Sequence, residues 1–331
     1  MKVFGINAGF DIIVKDDFWS VSVNANVNFF NIATLKVAGS FNSNGNVDFR
    51  MDGYIAFGSG GFGLFGDFHF HFKNGPYAQD SQSNKLYEFR LSGSASVKAK
   101  VFGITLAGLG LSFDFGAKQK AGGDGSAQII LTVKARIKIL FVTVTKTARF
   151  NLGTLQFPKP VYLAGSFGNG RTWGGSGDLH LNVGSRAGYR NIGVGDIDEA
   201  YYVEDLGSSD DGRTIKVSAY GRSNVIKGVK RIYAKFEDGN DLIFLGRTEP
   251  GGNGVVTGIP TIPVFIDMGS GNDGVSYGGS SSADIKGGDG DDYIEIVGTG
   301  TATVEAGNGN DFIIHQVGDG IGRGVTIKGG N

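Results

Sequence analysis

The sequence predicts an all-β fold: an N-terminal antiparallel β-sheet region followed by a parallel β-helix that passes into a β-roll. Three observations carry that expectation. Glycine takes 58 of 331 positions, proline only 6 and phenylalanine 25, a composition of short strands joined by tight turns. Apolar and polar residues alternate with a period of two over long stretches, which argues for strands and against a disordered glycine-rich tract. In the last third, a glycine- and aspartate-bearing nonapeptide returns every 19 residues, the mark of a chain that coils with a fixed period. No Gly-X-Y period is present, so a collagen-type rod is excluded.

Residues 1–160 read as long antiparallel strands. Val21, Val23, Ala25, Val27 and Phe29 fall on one face and Ser22, Asn24, Asn26 and Asn28 on the other. The period returns in Val47, Phe49, Met51, Ile55 and Phe57, and again in Ile129, Leu131, Val133, Ala135, Ile137 and Ile139. One buried and one wet face is the expected outcome. Turns are expected at Ser43-Asn44-Gly45-Asn46, Lys73-Asn74-Gly75-Pro76 and Gly122-Gly123-Asp124-Gly125, where positive φ costs little. Lys2-Val3-Phe4-Gly5-Ile6 recurs as Lys100-Val101-Phe102-Gly103-Ile104, which reads equally as a duplicated unit or as chance.

Phe157-Pro158-Lys159-Pro160 marks a domain boundary, and residues 161–177 form a glycine-rich connection. Residues 178–235 carry shorter strands, expected to be parallel lead-in coils. Residues 236–331 hold the repeat itself. Gly287 to Glu295, GGDGDDYIE, fits G-G-x-G-x-D-x-U-x at every position, where U is a large apolar residue. Met268–Ser276 and Ala306–Ile314 each lose only the first glycine. Phe236–Phe244 keeps Gly239, Asp241 and Ile243, and a further copy opens at Gly329-Gly330-Asn331.

Each residue type has a physical task. The glycines let the backbone turn tightly and turn its carbonyls toward one point. The aspartate adds a hard anionic oxygen, and calcium is bound by six or more such oxygens. Asp273, Asp292 and Asp311 lie 19 residues apart, one full coil, so their loops share one edge. The candidate metal-binding residues are therefore Gly269, Gly271 and Asp273; Gly287, Gly288, Asp289, Gly290 and Asp292; Gly307, Asn308, Gly309 and Asp311; with Gly239 and Asp241 in the degenerate copy. The opposite edge, GGSSSA, VGTGTA and GDGIGRG, lacks the aspartate and is expected to be metal-free. Val275, Ile294 and Ile313 form one inward column, and Ile285, Val304 and Ile327 another. A metal-free coil whose Asp and Asn residues only cap turns is the plainer alternative.

These residues resemble the repeats-in-toxin family, also called haemolysin-type calcium-binding repeats, over residues 236–331. The resemblance implies a calcium β-roll that folds after export from a bacterium, with Ca2+ held at the matched positions. It implies a module of a large secreted or cell-surface protein, of adhesin or matrix type. The carrier region of a secreted enzyme or toxin is the alternative. An Asp292→Ala change is expected to weaken two adjacent sites, and the same change at Asp196, outside the motif, none.

Other features bound the function. Cysteine is absent, so disulfides, thiolate metal sites and cysteine nucleophiles are excluded. The start lacks the apolar core of a signal peptide, no apolar run reaches membrane-spanning length, and the end breaks off inside a repeat, so a piece of a longer protein is expected. Residues 1–160 hold 17 Lys and Arg against 10 Asp and Glu, whereas 231–331 hold 6 against 14, so the two ends suit different partners. Lys134, Arg136 and Lys138, echoed by Lys98 and Lys100, form a basic stripe. It suits anionic cell-surface or matrix polysaccharide, lipid headgroups or nucleic acid, or serves as a solvated face that blocks edge pairing; no specific nucleic-acid motif accompanies it. His69 and His71 share a strand face with no third ligand in view, so they read as wet-face residues. His315 reads as a coil residue and Trp173 as packing over an open coil end, where strand edges also allow self-association. The sequence carries no H-E-x-x-H, G-x-S-x-G or phosphate-loop motif, and a non-enzymatic role is expected.

Overall fold

The computed structural model describes residues 4–15, 18–29, 33–59, 62–174, 177–193, 198–248, 256–316 and 324–330. Asp196, the segment 317–323 of the opposite edge, and Asn331 lie outside these residues. The protein is almost all β, with antiparallel and parallel sheets. Among the described residues there is one short 3-10 helix, Gly184–Arg190. The chain divides into two compact units. The first comprises residues 1–78, 85–120 and 125–158; the second comprises 79–84, 121–124 and 159–331.

The first unit is a nine-stranded antiparallel sheet in chain order. Its strands are β1 (Phe4–Lys15), β2 (Phe18–Phe29), β3 (Ala33–Asn42), β4 (Val47–Ser59), β5 (Phe62–Gln79), β6 (Lys85–Val101), β7 (Ile104–Lys118), β8 (Ser126–Ile139) and β9 (Val142–Gln156). Register carries the apolar set of each strand onto the next. Val21 faces Phe41, Phe41 faces Val47, Phe49 faces Phe72, and Phe113 faces Val133. The opposite face is charged and paired across strands, with Arg90 on Asp114, Lys73 on Glu88 and His71 on Asp48. Where a glycine stands on the apolar face, a ring from the next strand fills its place: a Cβ at Gly53 would overlap the Phe68 ring.

Three expectations need correction here. The apolar face is not buried: Phe57, Leu64, Leu109, Leu111 and Ile137 are all exposed, and Phe68, Phe70 and Phe72 are only half-buried. Alternation decides which face is apolar, but covering it takes another layer. Residues 73–76 are not a turn either, because β5 runs through them to Gln79 with Gly75 at φ 134°. The turn falls at 80–84, where Asp80 Oδ1 accepts the N–H groups of Gln82 and Asn84 at 2.9 Å. The internal echo is not a structural repeat: Phe4-Gly5 lies inside a strand, whereas Phe102-Gly103 forms a hairpin turn.

The second unit holds β10 (Ala164–Gly165), β11 (Asp178–Leu181), β12 (Ala200–Ser209), β13 (Gly212–Ala219), β14 (Arg222–Val229), β15 (Arg231–Lys235), β16 (Leu242–Leu245), β17 (Arg247–Thr248), β18 (Val256–Thr257), β19 (Val264–Asp267), β20 (Gly274–Tyr277), β21 (Ala283–Asp289), β22 (Tyr293–Ile296), β23 (Ala302–Asn308), β24 (Phe312–His315) and β25 (Val325–Lys328). Two seven-stranded sheets form, β10-β11-β15-β19-β21-β23-β25 and β14-β13-β12-β16-β20-β22-β24. From β19 onward successive strands alternate between them, and all their pairings are parallel.

The faces turned toward each other hold the core. Ile243, Val275, Ile294 and Ile313 form one column and Ile266, Ile285, Val304 and Ile327 the other. Most are fully buried, each contributing about 1.5–3 kcal/mol by leaving water; Ile327, on the last strand, is exposed. Trp173 packs against this core and its Nε1–H donates to Lys227 O at 2.6 Å. His315 is exposed.

Within 178–235 only β11 and β15 pair in parallel. The β12–β13–β14 stretch, expected as parallel coils, is an antiparallel meander. Its two-residue turns are too short for a crossover; Tyr220 and Gly221, at φ 51° and 66°, make the second.

Candidate metal centre

The loops entering β16, β20, β22 and β24 stack one above another. Asp238, Ser270 and Asp289 bridge in parallel, and Gly288 pairs with Gly307 and Asp289 with Asn308. Glycine is required by this stacking. Gly269, Gly271, Gly288, Gly290, Gly307 and Gly309 all have φ between 96° and 140°, outside the range side chains favour. A Cβ on any of them would overlap a carbonyl oxygen of the loop before: Glu237, Gly239, Gly269, Gly271, Gly288 and Gly290 in turn. A Cβ on Gly287 would overlap Asp292 Oδ2. The glycines therefore leave a row of backbone oxygens along the column.

The aspartates form a second row. Asp241, Asp273 and Asp292 are buried at 0%, 3% and 2% exposure, and Asp311 is half-buried. One oxygen of each caps the preceding loop: Asp241 N–H donates to Asp273 Oδ1 at 2.8 Å, Asp273 N–H to Asp292 Oδ1 at 3.0 Å, and Asp292 N–H to Asp311 Oδ1 at 3.1 Å. The other oxygen of Asp273 and of Asp292 is buried with no hydrogen-bond donor. Burial, and then the neighbouring carboxylates Asp292 and Asp241, push Asp273 up to about 7. Burial likewise raises Asp292, with Asp311, Asp291 and Asp289 adding to it.

A neighbouring ladder shows what capping alone looks like. Asn272 N–H donates to Asn240 Oδ1, Asp291 N–H to Asn272 Oδ1, and Asn310 N–H to Asp291 Oδ1, at 2.7–2.9 Å. These side chains are exposed, so water satisfies whatever the loop does not. The aspartates of the column are more buried, and Asp273 and Asp292 each keep one oxygen without a donor. Its donor set, one carboxylate per loop with backbone carbonyls, is all oxygen and suits a hard cation. Among the described residues no group of three or more His, Asp or Glu side chains converges on one point.

The structure thus brings together Gly239, Asp241, Gly269, Gly271, Asp273, Gly287, Gly288, Gly290, Asp292, Gly307, Gly309 and Asp311. Asp289 and Asn308 stand apart on the exposed rim, where Asn308 Nδ2 donates to Asp289 Oδ1 at 2.7 Å. The 32-residue step from Asp241 to Asp273 is a coil lengthened by the β17–β18 insertion, not a break in the column.

Sequence reasoning missed the residue that heads the column. Glu199 precedes β12 as Asp241 precedes β16, and its N–H donates to Asp241 Oδ1 at 2.7 Å. Its carboxylate is fully buried against the equally buried Arg190 guanidinium, which also donates to Tyr220 Oη at 2.9 Å. Burial raises Glu199 to about 7 although Arg190 opposes the shift. At this level an internal cation stands beside the carboxylate. A faint signal was present: Asp198-Glu199 precedes a buried aromatic, Tyr201, at the repeat's own spacing.

His69 and His71 contact Asp52 and Asp48 on the charged sheet face. No helix among the described residues is long and apolar enough to cross a membrane. No protein family, no curated protein and no solved structure matches the chain.

Proposed function

We propose that residues 236–330 form a calcium β-roll, the Ca2+-binding module of a large secreted or cell-surface protein of adhesin or matrix type. The observation that supports it most is the buried Asp273–Asp292 column, in which each carboxylate keeps one oxygen without a donor. Ions between successive loops would take that oxygen together with glycine carbonyls. The resemblance to repeats-in-toxin sequences agrees with this reading, and the role is binding rather than catalysis.

The physical consequence is folding coupled to calcium. Empty, the column sets like charges close together in a dry place, which opposes folding. Loaded, it gains stability by mass action, about 2.7 kcal/mol per site at a hundredfold excess over Kd. Low cytosolic calcium would leave the segment open for export, and extracellular calcium would close it.

The test is circular dichroism of the full chain during calcium titration, with magnesium as control, paired with calorimetric counting of bound ions. Calcium alone should produce a cooperative gain of β signal, and Asp292→Ala should remove about two ions because its carboxylate serves the loops on both sides. Asp48→Ala, on the antiparallel sheet, should remove none. A spectrum indifferent to calcium would reduce the column to turn capping.

A further inference from the structure

We propose that the hairpin tips joining β6 to β7 and β8 to β9 dock the antiparallel sheet onto an anionic lipid surface. Both turns lie at the same end of the sheet. They are tied by Leu140 N–H donating to Leu106 O at 2.6 Å, and Phe62, the first residue of β5, sits edge-on to Phe102 with ring centroids 4.4 Å apart. Phe141 is 94% exposed and Phe102 78%, and Leu140, Ile104, Ile139 and Val142 around them are exposed as well.

The backbone makes this placement unusual. Phe102 and Leu140 both have φ 52°, a left-handed conformation that turns ordinarily give to glycine or asparagine. A turn chosen only for its own stability would not hold large apolar side chains there, pointing into water. An apolar contact made outside the sheet supplies the reason.

Charge then selects the partner. Lys100 lies two residues before Phe102, and Lys138 two before Leu140. At the rise of a strand, their backbones stand about 7 Å behind the tips. That is the depth at which apolar side chains sink below lipid headgroups while lysines reach back to the phosphates. Lys98 and Lys138 flank Gly108 on β7, so no side chain separates the two. Lys98 contacts Asp67 at 3.5 Å, whereas Lys100, Arg136 and Lys138 form no ion pair among the described residues. A soluble polyanion would satisfy these cations and leave Phe102 and Phe141 in water. A second copy of the chain docked tip to tip would bury the rings but oppose lysine to lysine. An anionic lipid surface satisfies both sets at once.

The experiment is co-sedimentation of the full chain with phosphatidylcholine vesicles containing about 30 mol % phosphatidylglycerol, against phosphatidylcholine alone. Binding is expected only to the anionic vesicles, and it should fall in about 0.5 M salt. The double variant Phe102→Ser/Phe141→Ser should lose at least about tenfold in partitioning with its circular dichroism unchanged. The single variant Phe141→Trp, at a position too exposed to disturb the fold, should show, after subtraction of the unchanged protein's emission from Trp19 and Trp173, a blue shift on anionic vesicles only. Equal partitioning of the Phe102→Ser/Phe141→Ser protein would overturn the proposal, calcium bridging to the acidic repeat included. Added emission of the Phe141→Trp protein over the unchanged protein, which carries Trp19 and Trp173, that is already blue in buffer, with a dimer in sedimentation velocity, would assign the tips to a second copy. Binding to dextran sulfate that the double variant retains, with no vesicle binding, would assign the lysines to a soluble polyanion.

Discussion

The two units are built from the same alternation of apolar and polar residues, yet one encloses its apolar face and the other displays it. In the second unit, from β19 onward, successive strands pass between two sheets, so the inward side of each finds a partner on the facing sheet. Ile285, Ile294 and Val304 are consequently at 0% exposure. In the antiparallel unit the chain always returns beside itself in the same sheet. Each strand satisfies its neighbour's hydrogen bonds, and among the described residues of this unit all nine strands lie in the one sheet. Burial therefore follows the path of the chain rather than the hydropathy of the strand.

Charge divides along the same line. On the sheet, carboxylates and cations pair across strands in the open, where such contacts contribute little. In the second unit, carboxylates stack in a buried column with like charges as neighbours, and at its head Glu199 pairs with the buried Arg190. The largest effect expected from breaking this contrast is at that pair. Arg190→Met leaves Glu199 buried without its cation and should cost about 3–5 kcal/mol in urea unfolding. Arg90→Met, which breaks the exposed pair with Asp114, should cost about 1 kcal/mol or less. Similar losses in the two variants would mean that burial does not separate the units energetically.

Packing should show the next largest effect. Ile294→Ala empties a site closed on all sides and should cost about 2–5 kcal/mol. Leu109→Ala removes a side chain that is 59% exposed and should change stability by about 0.5 kcal/mol or less. A large loss at Leu109 would show that another layer covers the sheet in solution, which sharpens the comparison rather than ending it.

The smallest effect is a pH dependence. Burial alone would raise Asp205, but hydrogen bonds from Arg213, Gly207 N–H and Thr261 outweigh it and hold the carboxyl below its usual value. A carboxyl lowered by folding adds stability above its unfolded pKa of about 3.9, lost as pH falls through the lower folded value. Asp205→Asn should reduce stability near neutrality and flatten the acid limb below about pH 4. An acid limb as steep as in the unchanged protein would assign that dependence to other carboxylates.

Much of this protein is legible residue by residue. The antiparallel strands, the turns at 43–46 and 122–125, the aspartate spacing and the two inward columns all follow from local rules. Period two sets a face, small or Asx residues set a turn, and equal spacing sets equal position on a coil. What was misread depended on contacts far apart in the chain. Residues 73–76 carry turn residues, but Lys73 and Asn74 pair with β4 and the strand runs on to Gln79, and Asp80 makes the turn instead. The meander at 200–229 has strands like those of the coils, and only its two-residue turns force it to fold back on itself. Arg190 gives no local sign of its role, because the carboxylate it meets arrives nine residues later from another loop. Hydropathy, spacing and turn chemistry are properties of a segment and can be read from it. Whether a face is covered, and which cation a buried carboxylate meets, depends on which segments the finished fold brings together, and that was decided only in three dimensions.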